Sequence, residues 1–398
     1  MRVPWIQAAV LCFGLSTGAL SANSFAQQPT GNLKSDLSLA KSTFRAGEPV
    51  DVRFTVTNVT GQPVTFLVWH TPLEGFKADM FRVTWKGKPI QYLGAVYKRT
   101  PPQPGDYVTL GPGDSTSAAI DLSKAYDLSV SGPYRVSLAT VLPDADGAGG
   151  PWMLTSNEVA FTVTGGAAIR TVSAPPPPTQ YSQAPPAPTF MGCSAAEVQC
   201  IKKALGTARA ASKNCKNYLN NLPVAMRPTD PQYMKWFGAY GAACYATVLA
   251  NWCAIENALN NQALTFICHD PNCTAGTYAF VYPCDPYKIY LCDAFFNASI
   301  SGGFDTKMGT LIHEISHFKA VAGTDDNAYG VAAACMLAAN DPTMAKDNAD
   351  NYEYFAEAKT LAVPAITALG GVVLATAVLV VGAWAIRGRR TRMEHVPA

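Results

Sequence analysis

Hydrophobic and polar positions change rhythm along the chain, and each rhythm marks a different kind of structure. Between residues 33 and 165 the period is two. Val50, Val52, Phe54 and Val56 alternate with polar residues, as do Tyr134, Val136 and Leu138. Phe66 to Trp69, Phe81 to Trp85 and Val159 to Val163 are further β-rich runs, punctuated by Gly, Pro, Asn and Asp. This pattern predicts an all-β, immunoglobulin-like sandwich. Residues 166–188 follow, with Pro175 to Pro178 and Pro185-Pro186, and read as a semi-extended linker. From 189 to 360 helical spacing takes over. Ala195 to Leu222, Pro231 to Asn261, Lys307 to Ala320 and Asp350 to Leu361 each carry an apolar face. Between them, Tyr278, Phe280 and Tyr282 alternate within Cys268 to Phe296, so the second domain is mainly α with a small β element (α+β).

Two apolar runs break both rhythms. In residues 1–26, Arg2 precedes an apolar stretch from Ile6 to Leu20, and Ser24-Phe25-Ala26 supplies small residues before Gln27. That order is the export signal pattern. Residues 361–386 hold no charged side chain and are followed by Arg387, Arg389, Arg390 and Arg392 in a basic tail, 387–398. A helix of that length crosses about 30 Å of hydrocarbon, and the arginines belong on the cytoplasmic side. The expectation is an exported, multidomain chain with one C-terminal transmembrane helix, its large middle part outside the cytoplasm in the cell envelope or secreted.

Composition sharpens this picture in two places. The net charge of +2 offers no electrostatic footprint for a nucleic acid, so none is expected as a partner. Apart from Cys12, ten cysteines remain, all between Cys193 and Cys335. An even number in an oxidising compartment reads as disulfides, and the absence of paired C-x-x-C spacings argues against a cysteine metal site.

Candidate chemistry sits in one place. His313-Glu314-Ile315-Ser316-His317 is an H-E-x-x-H sequence on a segment with an apolar side formed by Met308, Leu311, Ile312, Ile315 and Phe318. Residues four apart share a helix face, so both imidazoles can meet one zinc ion with Glu314 beside them as general base. The bland alternative is two surface histidines around a solvated glutamate. Zinc needs a third protein ligand. Position 323, where a third histidine would stand six residues on, is Gly323, and no glutamate follows about twenty residues later. The nearest carboxylates are Asp325 and Asp326, and residue chemistry alone does not choose between them. His70, the sandwich's only histidine, reads as a packing or turn residue.

Gly323-Thr324-Asp325-Asp326-Asn327-Ala328-Tyr329-Gly330 resembles the G-T-x-D-x-x-Y-G element of the aspzincins, the deuterolysin-like zinc metallopeptidases. Trp236-Phe237-Gly238, Thr277 to Pro283, Tyr290-Leu291-Cys292 and Asn348 to Phe355 extend the likeness to the peptidyl-Lys metalloendopeptidases, over about residues 192–357. The resemblance implies a zincin-type metallopeptidase domain holding one zinc ion by His313, His317 and Asp326. It also implies that Glu314 is the base and that Tyr329 stabilises the oxyanion. By the same comparison Asp350 and Glu353 bind the lysine ammonium after the scissile bond, and Cys193–Cys268 and Cys273–Cys292 are disulfides. The implied activity is endoproteolysis of proteins or peptides on the N-terminal side of lysine, with the sandwich as a prodomain or accessory domain of a zymogen. No lysine lies between Lys124 and Lys202, so a strictly Lys-specific enzyme has no site of its own in the linker. Broad deuterolysin-like specificity and a membrane-tethered binding protein with a degenerate peptidase domain are the alternatives. The sequence leaves the oligomeric state open.

Overall fold

A computed structural model describes residues 32–142, 152–167 and 186–361. The N-terminal part is built from two larger sheets. Leu33–Leu39 and Ser115–Asp121 flank Asp51–Asn58 in antiparallel register. The other sheet runs Thr43–Arg45, Trp152–Thr164, Gly132–Leu142, Phe81–Trp85, Lys88–Pro89. Val52, Phe54 and Val56 from one sheet and Tyr134, Val136 and Leu138 from the other are buried in a common core. The period-two alternation is therefore the inward face of each strand.

One strand of this region does not stay in it. Val96–Arg99 pairs antiparallel with Thr277–Val281 and forms the edge of a five-stranded sheet in the second domain. The order of that sheet is Thr189–Met191, Thr265–Cys268, Lys288–Leu291, Thr277–Val281, Val96–Arg99. The sequence reading gave all of 33–165 to one sandwich. It missed the exchange because Val96, Tyr97 and Lys98 are all buried, so no alternation marks the strand.

Helices complete the second domain. Ala195–Asn221 begins with a capping box: Glu197 N–H donates to Ser194 Oγ at 3.3 Å, and Ser194 N–H donates to Glu197 Oε2 at 2.7 Å. Pro231–Phe237 starts on Asp230, whose carboxylate accepts from Tyr233 N–H at 2.7 Å, with Pro at the first helical position. It stops at Gly238, where φ is +77° and the backbone passes under the Ala338 carbonyl. Lys307–His317 is capped by Thr306, whose Oγ1 accepts from Gly309 N–H at 3.0 Å. All eleven of its residues are buried. It packs on Ala349–Leu361 and on the first long helix, and Gly309 allows the close approach: a Cβ there would lie 2.1 Å from Glu357 Oε1.

Cysteines join in two disulfides, Cys193–Cys268 and Cys273–Cys292. Cys200, Cys215, Cys244, Cys253, Cys284 and Cys335 form none among the described residues. The two bonds formed are those that the family resemblance implies, and the even count's reading as disulfides holds for these four cysteines. The transmembrane helix expected at 361–386 also needs correcting. Among the described residues no helix is long and apolar enough to cross a membrane. The longest, Ala195–Asn221, carries Lys202, Lys203, Lys213 and Lys216, and Ala349–Leu361 carries Asp350, Glu353, Glu357 and Lys359. Residues 362–398, like the expected signal segment 1–26 and most of the linker, lie outside the described residues.

Gly238 yields a first prediction. In Gly238→Ala the new Cβ meets Ala338 O at 2.1 Å in a left-handed conformation, so stability falls by about 1–3 kcal/mol. Calorimetric melting should show a lower midpoint with the disulfides intact.

Candidate active site

Three segments converge at the centre of the second domain. Helix Lys307–His317 brings His313 and His317 to one side, their ring centroids 4.7 Å apart. After the helix the chain turns at Gly323, and Thr324 N–H donates back to Ser316 O at 3.2 Å. Ser316 Oγ donates to His313 O and pairs with Thr324 Oγ1, both at 2.6 Å, which fixes the returning strand against the last helical turn. The third segment is the start of helix Ala349–Leu361. Asn348 Oδ1 accepts from the N–H groups of Asn327 at 2.7 Å and Ala328 at 3.0 Å. Asp325 N–H donates to Asp347 O, and Ala349 N–H donates to Asp325 O.

These bonds use the backbone of Asp325 and aim the side chain of Asp326 at the rings. Asp326 Oδ1 lies 3.2 Å from His313 Nε2 and 3.5 Å from His317 Nε2. The two ring nitrogens and both Asp326 oxygens are buried without a hydrogen-bond partner among the protein groups, as are both oxygens of Glu314. Each imidazole is oriented through its other nitrogen. His317 Nδ1 faces Thr324 O at 2.7 Å and so carries the proton, leaving Nε2 with its lone pair toward Asp326. His313 Nδ1 faces Asp350 Oδ1 at 2.9 Å and Glu353 Oε2 at 3.2 Å. Carboxylate and carbonyl partners behind imidazoles are the arrangement that fixes a metal-binding tautomer. Two imidazole nitrogens and a carboxylate oxygen, all within 4.8 Å of one another, suit a zinc ion, and a cation there would satisfy atoms that are otherwise orphaned.

Buried carboxylates dominate the electrostatics: although burial opposes it, Asp326, Asp350 and Glu353 raise His313 well above its ordinary value. Burial pushes Glu314 up to about 8, against the opposing pull of His313. Burial also lowers His317, to about 4, so its ring is neutral. Asp326 is held below the usual carboxylate range, because the two imidazoles outweigh its burial.

Asp350 and Glu353 face a second cation besides the imidazole. Lys98 Nζ lies 2.6 Å from Glu353 Oε2, 3.1 Å from Asp305 Oδ1 and 3.4 Å from Asp350 Oδ1, and is 1% exposed. Burial alone would lower this ammonium, but Asp350 and Glu353 raise it well above its ordinary value and keep it charged. Tyr329 lies against Tyr97, the residue before Lys98. Its hydroxyl lies 3.0 Å from His70 Nε2 and 3.4 Å from Tyr97 O, and its ring packs edge-on to Trp69. His70 is thus more than a turn residue of the sandwich: it reaches the tyrosine of the second domain.

Comparisons with known proteins identify the family. The aspzincin family model described as lysine-specific metallo-endopeptidase matches residues 225–357. An extracellular protease of Aeromonas hydrophila is 37% identical over 324 residues, 80% of this chain and 91% of the relative. A peptidyl-Lys metalloendopeptidase of Grifola frondosa is 32% identical over 317 residues, 76% of this chain and 86% of the relative. The chain belongs to the aspzincin family. A solved zinc peptidase from Grifola frondosa is 38% identical, covers 42% of this chain and 98% of its own, and superposes with a TM-score of 0.38.

This aspzincin is accordingly a zinc-dependent metalloendopeptidase acting on proteins or peptides. The alternative of a degenerate, non-enzymatic binding domain falls. Membrane anchoring finds no support. Sequence reasoning missed Lys98, Asp305, Tyr97 and the reach of His70. Nothing local marks them, since Val96-Tyr97-Lys98-Arg99 reads as an ordinary strand with charges at its end.

Asn348 provides the test of how the turn is held. Asn348→Ala removes the acceptor for two buried N–H groups on the Asp326 turn, and outer partners of this kind are worth about 10–100-fold in metal affinity. Chelator competition should show zinc affinity reduced by that factor.

Proposed function

We propose that this aspzincin hydrolyses the peptide bond preceding lysine, in proteins exported to the same compartment. In this reading His313, His317 and Asp326 hold one zinc ion, and Asp350 and Glu353 bind the lysine ammonium. The observation that carries the lysine preference is the buried ammonium of Lys98 between those two carboxylates. The pocket accepts this side chain with its charge intact, and charge-assisted hydrogen bonds reward a cation there. The relatives called peptidyl-Lys metalloendopeptidases support the same choice. Residues 1–26, with Arg2, the apolar run and Ser24-Phe25-Ala26, support export.

The chain's own groups divide the work. When bound, the ion supplies Lewis acidity toward the scissile carbonyl and the attacking water. Glu314, buried and without a hydrogen-bond partner, has a proton affinity raised by burial to near neutrality. That suits a base that takes the water's proton and gives it to the leaving amine. Tyr329, whose own proton is held tightly by burial, donates its hydroxyl to the carbonyl oxygen as negative charge develops there. Contacts of that kind contribute about 2.7–4 kcal/mol to a transition state. Asp350 and Glu353 place the lysine and so the bond before it.

Two measurements test the reading. Glu314→Gln should retain zinc, by atomic absorption, and lose at least about 1000-fold in kcat; normal turnover in that variant removes Glu314 from the role of base. On peptides with Lys or Ala after the scissile bond, mass spectrometry should find cleavage before Lys favoured by at least about tenfold, the worth of one charge-assisted hydrogen bond. New N-termini that are mostly apolar would refute the preference.

A further inference from the structure

The ammonium in the acidic pocket belongs to the protein itself, and the rest of its dipeptide is placed as a substrate would be. Lys98 lies on the edge strand that pairs antiparallel with Thr277–Val281, with Tyr97 opposite Phe280 and Lys98 opposite Ala279. Thr100 N–H extends the pairing to Gly276 O at 2.7 Å. Extended segments bind a sheet edge in this way, with main-chain bonds giving affinity and side-chain pockets giving choice. The Tyr97 carbonyl, on the N-terminal side of the lysine, lies 3.4 Å from the Tyr329 hydroxyl. A structural ion pair needs only the lysine. Here the lysine side chain and the preceding carbonyl both meet the groups assigned above to substrate recognition, one on each side of a single peptide bond.

We infer that strand Val96–Arg99 is a tethered substrate mimic: the sandwich keeps the enzyme latent by seating its own Tyr97–Lys98 bond across the active site, with Lys98 in the lysine pocket. The inference rests on the lysine-pocket reading proposed above and adds that this chain fills the pocket itself. Anchors on both sides hold the strand. Arg99 makes a bidentate pair with Glu74 at 2.6 and 3.2 Å and stacks on Trp69, while Tyr97 stacks on Phe280 at 4.9 Å. His70 Nδ1 faces Val141 O and so carries the ring proton, which makes Nε2 the acceptor for the Tyr329 hydroxyl at 3.0 Å: the sandwich itself holds the oxyanion donor. Asp305 adds a third carboxylate to the ammonium. A segment tethered in this way competes with free peptide at an effective concentration in the millimolar range, without any new contact.

Binding to catalytically blocked full-length chains tests the inference without relying on turnover. The three proteins are Glu314→Gln, and the same chain with Lys98→Ala or with Lys98→Met, each loaded with zinc. Lys98→Met keeps the apolar stem and serves if circular dichroism shows the alanine variant misfolded. The probes are fluorescein-labelled peptides with a central Lys or with Ala in its place, read by anisotropy. Both Lys98 variants should bind the Lys peptide at least about tenfold more tightly than the chain that retains Lys98. Equal affinity, or no binding in any chain, overturns the inference. If loss of Lys98 opens the site to the Ala peptide as well as to the Lys peptide, the mimicry stands and the lysine preference proposed above is what fails.

Discussion

Four carboxylates buried together are the constraint around which the rest of this molecule is arranged. Glu314, Asp326, Asp350 and Glu353 are each no more than 5% exposed, and they surround the two imidazoles of one helix. Removing such groups from water costs several kcal/mol apiece unless cations or donors replace the solvent. The fold supplies two places for positive charge. One lies between His313, His317 and Asp326, whose donor atoms are close enough together to share a metal ion. The other lies between Asp350, Glu353 and Asp305, where Lys98 sits. His313 links the two, facing Asp326 with Nε2 and the second group with Nδ1.

The secondary structure can be understood as what brings those charges together. A wholly buried helix carries the histidines and Glu314, and its N-terminus is satisfied by Glu357, which accepts from Thr306 N–H at 2.8 Å and Oγ1 at 2.7 Å. That is the favourable end of a helix for an acid. The following turn is tied to Asn348, and Asn348 Nδ2 in turn donates to Asn351 Oδ1 at 2.6 Å. Asn351 Nδ2 donates to Trp236 O and Ala334 O, which pins two further helices to the same point. Removing one amide from this chain leaves several buried groups unpaired, so the network positions Asp326 more firmly than any single contact could.

Much of this could be read from the sequence where chemistry is local. The H-E-x-x-H spacing and the alternation of Val52, Phe54 and Val56 each report a face of one element, and the structure contains those faces. The choice of Asp326 over Asp325 was not local. It depends on backbone bonds from Asp325 to Asp347 and Ala349, more than twenty positions away, and only resemblance to a family supplied it. Lys98 was legible in neither way. Its strand has four residues, three of them buried, and takes its partners from a sheet nearly two hundred residues later. The apolar run at 361–386, from which hydropathy predicts a membrane helix, lies past the last described helix, and among the described residues no helix is long and apolar enough to cross a membrane.

The same two oxygens, Asp350 Oδ1 and Glu353 Oε2, face both the ammonium of Lys98 and His313 Nδ1. The ammonium and the imidazole therefore draw on one set of lone pairs. A cation in the pocket offsets the negative charge behind His313. An empty pocket leaves that charge buried against the imidazole alone, so the carboxylates hold its proton more strongly. The side chain of Lys98 thus acts on the imidazole as well as filling the space between the carboxylates. An uncharged side chain of similar length could reach the same depth and would leave this balance unmet.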